Sequence, residues 1–324
     1  MRKSQKIIAI MGFVWTCAAV GAWAGEAPTS GTAPQASIDY LNTVLFTDKG
    51  QYVLGEPVFL RLVFANWSRD VSYNLQGYMH PANDLEIRVA RARELPRRYT
   101  GSLKKEALVP AMNVDLRPRQ IHALRVSLGY EPANKSGFLF DQPGIYTISC
   151  RARMTVNQVP KDLVLPDIQM VVVAPTEEQQ KALDLVMNPG CASDIQNFQA
   201  RKETEKTWQD VAERFPKSPW APYARMFLAR QALENSTSDL AKVLEQLQAI
   251  ARDYPNFYLL DDIYYMCATA QDRMARPREA LSWLYRIQRE CPDSAYIQPI
   301  SRLFHKYIYP DGWERRYAAG YLRE

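Results

Sequence analysis

The sequence predicts a β + α chain in which an antiparallel β-sandwich is followed by an α-solenoid of helix-turn-helix repeats. Three observations carry this. Short apolar and β-branched segments separated by turn residues fill residues 38–175, the apolar period changes at Pro175, and an aromatic-or-cysteine plus proline pair recurs beyond it. At 324 residues the chain exceeds what one hydrophobic core commonly fills, so more than one domain is expected. With 47% hydrophobic and 23% charged residues, the composition is that of ordered protein.

Residues 1–24 read as an address. Arg2, Lys3 and Lys6 form a basic start, Ile7 to Val14 an apolar stretch, and Ala22-Trp23-Ala24 a small-x-small cleavage site before Gly25. Residues 25–37 read as a flexible N-terminal segment. The apolar run is too short for a membrane span, and no later stretch approaches the roughly 20 apolar residues that a span requires. Cys17 leaves a lipoprotein open as the competing reading, with Thr16 and Val14 departing from that motif. The expected location is the periplasm or the extracellular space. Three of the 40 Lys and Arg residues lie in this segment, so 37 remain against 35 acidic residues, a balance of about +2. That gives no ground for a nucleic-acid partner, which calls for a concentrated basic face.

From Ile38 the pattern is that of strands: Val44 to Thr47, Val58 to Ala65, Leu85 to Ala90, Ile121 to Leu128, Ile145 to Met154 and Ile168 to Val173. Turn signals lie between them, including Asp48-Lys49-Gly50, Gly55-Glu56-Pro57 and Gln142-Pro143-Gly144. Val58 to Phe64 alternates, but its apolar density suggests burial on both faces over part of the strand. Asp141 to Cys150, with Gly144-Ile145-Tyr146, resembles the late strand of immunoglobulin-like sandwiches. The resemblance implies that the tyrosine hydroxyl ties back to the neighbouring corner. Tyr52 to Val58 followed by Asn66-Trp67-Ser68 is similar to sandwich modules of secreted bacterial proteins, including the proteinase-inhibitor type.

At Pro175 helices begin. Thr176-Glu177-Glu178-Gln179 has the form of a capping box, and so has Ser193-Asp194-Ile195-Gln196 after the break at Asn188-Pro189-Gly190, so two helices are expected before residue 214. Phe215-Pro216, Tyr254-Pro255 and Cys291-Pro292 then recur 39 and 37 residues apart, each ending a second helix. At the junctions, Ser218 is placed to cap the next helix, with Pro219 at its first position.

Asp261 to Ser294 resembles a tetratricopeptide repeat. Tyr264 stands at the large first-helix position, Cys267 and Ala268 follow, Ala280 sits where the helices cross, Leu284 and Ile287 share its face, and Pro292 closes the unit. Gln271 departs from the family's usual tyrosine. Phe215-Pro216-Lys217-Ser218-Pro219-Trp220 and Cys291-Pro292-Asp293-Ser294-Ala295-Tyr296 are similar to the junctions of such proteins in the bacterial cell envelope. The resemblance covers about residues 176–309 and leaves 310–324 as a C-terminal tail.

The resemblance also implies a binding face. In the family the second, fifth, ninth and twelfth positions line a groove, which here gives Asp262, Tyr265, Thr269 and Asp272, then Tyr296, Pro299, Leu303 and Lys306 on the next helix. An aromatic flanked by carboxylates suits an extended peptide bearing a basic residue. A wet outer face, or a groove filled by Asp311 to Glu324, is the competing reading. In the β region Arg88, Arg91, Arg93, Arg97 and Arg98 crowd one stretch and could bind an anionic cell-wall polymer. The plainer reading is a solvated hairpin, with Glu86 and Glu94 offsetting part of the charge.

Little else offers chemistry. His80, His122 and His305 are isolated, and no HExxH, Gly-x-Ser-x-Gly or Gly-rich phosphate loop occurs. Cys150, Cys191, Cys267 and Cys291 remain after cleavage, with Cys267 expected as a small core residue opposite Leu284, too far from Cys291 for a bridge. Whether Cys150 pairs with Cys191 stays open. No metal, redox or cofactor motif is present. The reading is therefore a non-catalytic adaptor of the cell envelope that binds a protein or peptide partner through its helical groove. The alternatives are a β domain that inhibits a protease or binds a glycan, and an envelope hydrolase with unrecognised carboxylates.

Overall fold

The computed structural model describes residues 40–79, 84–101, 112–292, 294, 296 and 300. All of them lie in one compact unit, Ile38–Glu324. Ten strands come first: β1 (Leu41–Thr47), β2 (Gln51–Val53), β3 (Phe59–Asn66), β4 (Tyr73–Gly77), β5 (Leu85–Arg91), β6 (Arg97–Arg98), β7 (Met112–Leu116), β8 (Ile121–Ser127), β9 (Gly144–Val156) and β10 (Val159–Val173). Seven helices follow: α1 (Glu177–Val186), α2 (Pro189–Asn197), α3 (Glu205–Arg214), α4 (Ala221–Glu234), α5 (Leu240–Asp253), α6 (Leu260–Arg273) and α7 (Pro277–Glu290).

The strands make a small sheet, β1-β3-β8, and a seven-stranded sheet, β2-β10-β9-β4-β7 with β5 attached to β9 and β6 to β5. This corrects the expected immunoglobulin-like antiparallel sandwich. The large sheet is mixed, because β2 runs parallel to β10, pairing Val171 to Val173 with Gln51 to Val53. Its centre is one long hairpin of 13 and 15 residues, turned at Asn157 and Gln158, both in the left-handed region, and broken by a bulge between Leu165 and Ile168 at Pro166. One feature of the expected corner is present: the Tyr146 hydroxyl donates to the Gln142 carbonyl at 2.8 Å.

The dense apolar strand β3 joins the small sheet to the helices. Its residues are buried on both faces. The side that a solvated sheet would leave to water carries Phe59, which stacks on Phe198 at 5.4 Å, Tyr258 at 5.6 Å and Tyr223 at 6.1 Å, all from the helical part. Phe59 therefore belongs to the helical core, with Trp208, Trp220, Phe227 and Ile263. Phe198 ends α2 with φ 55, an unusual conformation for a bulky residue, and that turn places its ring on the sheet.

Local signals set the helix ends. Thr176 and Gln179 form the capping box of α1. The box expected at Ser193 does not form: α2 starts at Pro189 under an Asn188 cap, and Ser193 lies inside it. Asp194, fully buried, instead accepts from Trp208 Nε1 and Arg201 Nε, each at 2.8 Å, and from Thr204. At the next junction Trp220 occupies the N-cap of α4 and donates to the Gly55 carbonyl at 2.8 Å, while the buried Ser218 hydroxyl makes no cap. Gly55 has φ 75, and a Cβ there would stand 2.7 Å from Leu183, so the turn before β3 requires glycine. The helices then pack serially, with α6 and α7 meeting across a turn at Ala275, φ 57. Cys150, Cys191 and Cys267 are buried thiols and Cys291 is half-buried, all four unbridged.

A truncation at the shared core tests this union. Phe59→Ala should cost about 3–5 kcal/mol. Urea unfolding followed by helical circular dichroism and by tryptophan fluorescence should shift to the same lower midpoint, since Phe59 supports both parts.

Candidate functional site

The expected groove lies where α6 meets β8. Asp261 and Asp262 occupy the first turn of α6, where negative charge complements the helix N-terminus, and the Asp261 carboxylate accepts the Asp262 amide at 3.1 Å. Arg125 reaches them from β8. Its guanidinium forks, with Nη1 3.2 Å from Asp261 Oδ1 and Nη2 2.6 Å from Asp262 Oδ2. The Asp262 contact is an ion pair without in-line hydrogen-bond geometry. Ser294 donates to Asp261 Oδ2 at 2.7 Å and Tyr296 to Asp262 Oδ1 at 2.8 Å. Every oxygen of the two carboxylates thus has a partner inside the chain.

A second arginine shares the interface. Arg61 stands directly opposite Arg125 in the β3–β8 register, and its Nε donates to the Tyr258 hydroxyl at 3.1 Å. Aromatic faces cover both cations: Tyr258 lies 4.9 Å from the Arg61 guanidinium, and Phe198 5.6 Å from that of Arg125. Farther along the β part, burial raises the pKa values of Asp48 and Glu56. Asp48 accepts from the Tyr52 hydroxyl, and Glu56 pairs with Lys49 and accepts the Val53 amide at 3.0 Å.

Burial also dominates at Asp262, raising its pKa to about 6 against the lowering effect of Arg125, with Asp261 raising it further. For Arg125 burial alone would lower the pKa, but Asp262 and Asp261 hold it well above the ordinary value. Burial is thus the main reason that Asp262 retains a proton so readily, and the surplus negative charge left by one cation between two carboxylates adds to it.

The predicted groove residues fare differently from one another. Asp262 is buried within this cluster. Tyr265 is half-buried and stacks on Tyr296 at 4.4 Å with planes 13° apart. Thr269 is half-buried and donates to the Tyr265 carbonyl at 3.0 Å, and Asp272 is half-buried at the end of the same face. Pro299, Leu303, Lys306 and the segment Asp311 to Glu324 lie outside the described residues, as do His80, His305 and the N-terminal address. Sequence reasoning missed Arg125, whose signal was a lone cation within the apolar run Ile121 to Leu128. It also missed Ser294 as a donor, because the residue had been read only as junction wording.

The arginine cluster of the β part is divided. Arg88 and Arg98 stand directly opposite each other, and Arg88 pairs with Glu86 at 2.7 Å. Arg91 pairs with Glu94 at 2.6 Å, while Arg93, Arg97 and Arg98 are exposed. Arg151 and Arg153 join Arg88 on the outer face of the large sheet, with Arg151 paired to Asp162. Among the described residues no group of three or more His, Cys, Asp or Glu side chains could hold a metal ion, and no helix is long and apolar enough to cross a membrane.

No family model and no curated protein matches the sequence. Similar solved structures include a β-glucosidase from Erythrobacter marinus, 11% identical over 41% of this chain and 16% of that one, with a TM-score of 0.24. Another is the alkylpurine DNA glycosylase AlkC of Pseudomonas fluorescens bound to DNA, 10% identical over 41% of this chain and 30% of that one, TM-score 0.24. A third, the structural-genomics target SoR45, is 6% identical over 41% of this chain and 88% of that one, TM-score 0.26. The chain thus spans about a sixth and under a third of the first two. Likeness at this level carries no argument about fold or activity.

Two outcomes follow from the geometry. Arg125→Met should destabilise by about 3–5 kcal/mol, because it leaves two buried carboxylates without their cation. Carboxyl-carbon NMR should find Asp262 titrating near pH 6, above the ordinary aspartate value of about 3.9. A raised native pKa means that the folded state holds this proton more tightly than the unfolded chain. The stabilising contribution is therefore complete below the unfolded value and is lost as pH rises through about 6.

Proposed function

We propose that the chain is a non-catalytic protein-binding scaffold of the cell envelope, in which the inner face of the helix pairs takes the chain's own β part as a built-in ligand. The fork of Arg125 between Asp261 and Asp262 carries this reading. On the resemblance of Asp261 to Ser294 to a tetratricopeptide repeat, Asp262 and Tyr265 would face a bound peptide. A guanidinium from β8 takes the place that a basic side chain of such a peptide would fill. One repeat spacing earlier, 39 residues, Tyr223 stacks on Phe59 of β3, so the same face of two successive first helices rests on the small sheet.

A protein partner would then use the outer side of the array. The last helix pair offers a shallow depression of about 430 Å³, bordered by Ser282, Tyr285, Arg286, Gln288 and Arg289 of α7. Tyrosine and arginine are the side chains that most often anchor protein interfaces. Arg286 is braced there by the rings of Tyr264 at 4.3 Å and Trp283 at 4.9 Å. The basic start, apolar stretch and Ala22-Trp23-Ala24 support placing the scaffold outside the cytoplasm.

Site-specific photocrosslinking in cells tests the proposal. A crosslinker at the exposed Gln288 should capture another protein, and one at Tyr265 should report only contacts within the chain. Intermolecular products from position 265, with none from position 288, would return the partner to the groove and contradict the built-in ligand.

A further inference from the structure

The hairpin joining β5 to β6 carries apolar and basic side chains that the fold leaves in solvent. Leu95 is 90% exposed, the most exposed large hydrophobic residue among those described, and Pro96 follows it. Arg93, Arg97 and Arg98 surround it, all exposed. Among the described residues no carboxylate lies within ion-pair distance of these three; Glu94, the acid of the hairpin, is paired with Arg91. Arg98 also faces Arg88 across the ladder, and like charges placed directly opposite weaken a strand pair. Glu86, paired with Arg88, offsets part of that repulsion, its carboxyl held low by Arg88 and more weakly by Arg98, but nothing among the described residues covers the leucine.

The apolar surface extends beside the tip. The Ala92 amide donates to the Ile145 carbonyl at 2.8 Å, fixing the turn next to Ile145. Ile145 pairs with Val171 across β9 and β10, and the two are 50% and 38% exposed. Leu95, Ile145 and Val171 thus lie at one end of the large sheet, beside a collar of arginines. Three guanidinium groups with no carboxylate within ion-pair distance among the described residues thus cluster at this end.

A soluble polyanion would account for the arginines but would leave the leucine without a role. A phospholipid surface accounts for both, since an apolar tip can enter the headgroup layer while guanidinium groups bind phosphates in bidentate fashion. We propose that the β5–β6 hairpin is a docking site for an anionic phospholipid surface, with Leu95 inserting and Arg93, Arg97 and Arg98 engaging the phosphates. The site is separate from the helical array, so it stands or falls independently of the partner surface on α7.

The test is sedimentation with vesicles, using protein purified from the exported fraction so that any leader removed in the cell is absent. Vesicles of equal parts phosphatidylcholine and phosphatidylglycerol should retain the protein, vesicles of phosphatidylcholine alone should not, and added salt should release it. Arg97→Ser with Arg98→Ser should weaken binding by more than about tenfold, since each basic residue near such a surface contributes roughly fivefold. Leu95→Ser should weaken it by about five- to tenfold at unchanged melting temperature. Equal retention by neutral vesicles overturns the proposal, as does unchanged retention of both variants. Binding to inorganic polyphosphate with none to anionic vesicles overturns it too, and assigns the arginines to a soluble polymer.

Discussion

The architecture depends on one constraint: a guanidinium buried between a sheet and a helix must be neutralised there. Arg125 points out of β8 into the helical part, where water cannot solvate it, and α6 answers with two carboxylates in its first turn. Such a cluster contributes little net stability relative to an apolar replacement, but breaking it is expensive. Its effect is therefore to fix geometry. The fork of Arg125 and the donors Ser294 and Tyr296 together hold the first turn of α6 against the sheet. The chain beyond α7 is drawn into the same arrangement, because both donors come from it.

Apolar contacts then complete what the charges position. Phe59 gathers three aromatic rings from the helical part, Phe198 at the end of α2, Tyr223 in the first turn of α4 and Tyr258 between α5 and α6. Trp220 hydrogen-bonds to Gly55 and Arg61 to Tyr258, tying the helices to the β part at two further points. A free-standing solenoid leaves that face to a ligand. Here the β part lines it, through Arg125 and Phe59.

Much of the fold was legible, and the misses have physical causes. Thr176 to Gln179 announced α1, because a helix cap is written in local residues. Tyr73 to Gly77 and Met112 to Leu116 alternate buried and polar side chains, but they are short and carry Asn, Gln and Asp, which strands disfavour, so neither was among the expected strands. The parallel pairing of β2 with β10 joins segments 120 residues apart, and no local pattern encodes it. In the site, Asp262, Tyr265 and Tyr296 were singled out by the resemblance to a repeat, whose groove positions share one helix face. What that face meets was not, because Arg125 lies 137 residues before Asp262 and nothing in either stretch names the other.

The central claim is that the inner face of the helical array holds the β part as one cooperative body through Arg125. Native-state hydrogen exchange in increasing urea tests it directly. The account predicts that amides of β3, β8 and α6 open together with one free energy, and that Arg125→Met lowers that value for all three. Earlier opening of α6, with β3 and β8 still protected and the substitution changing only one side, would contradict it.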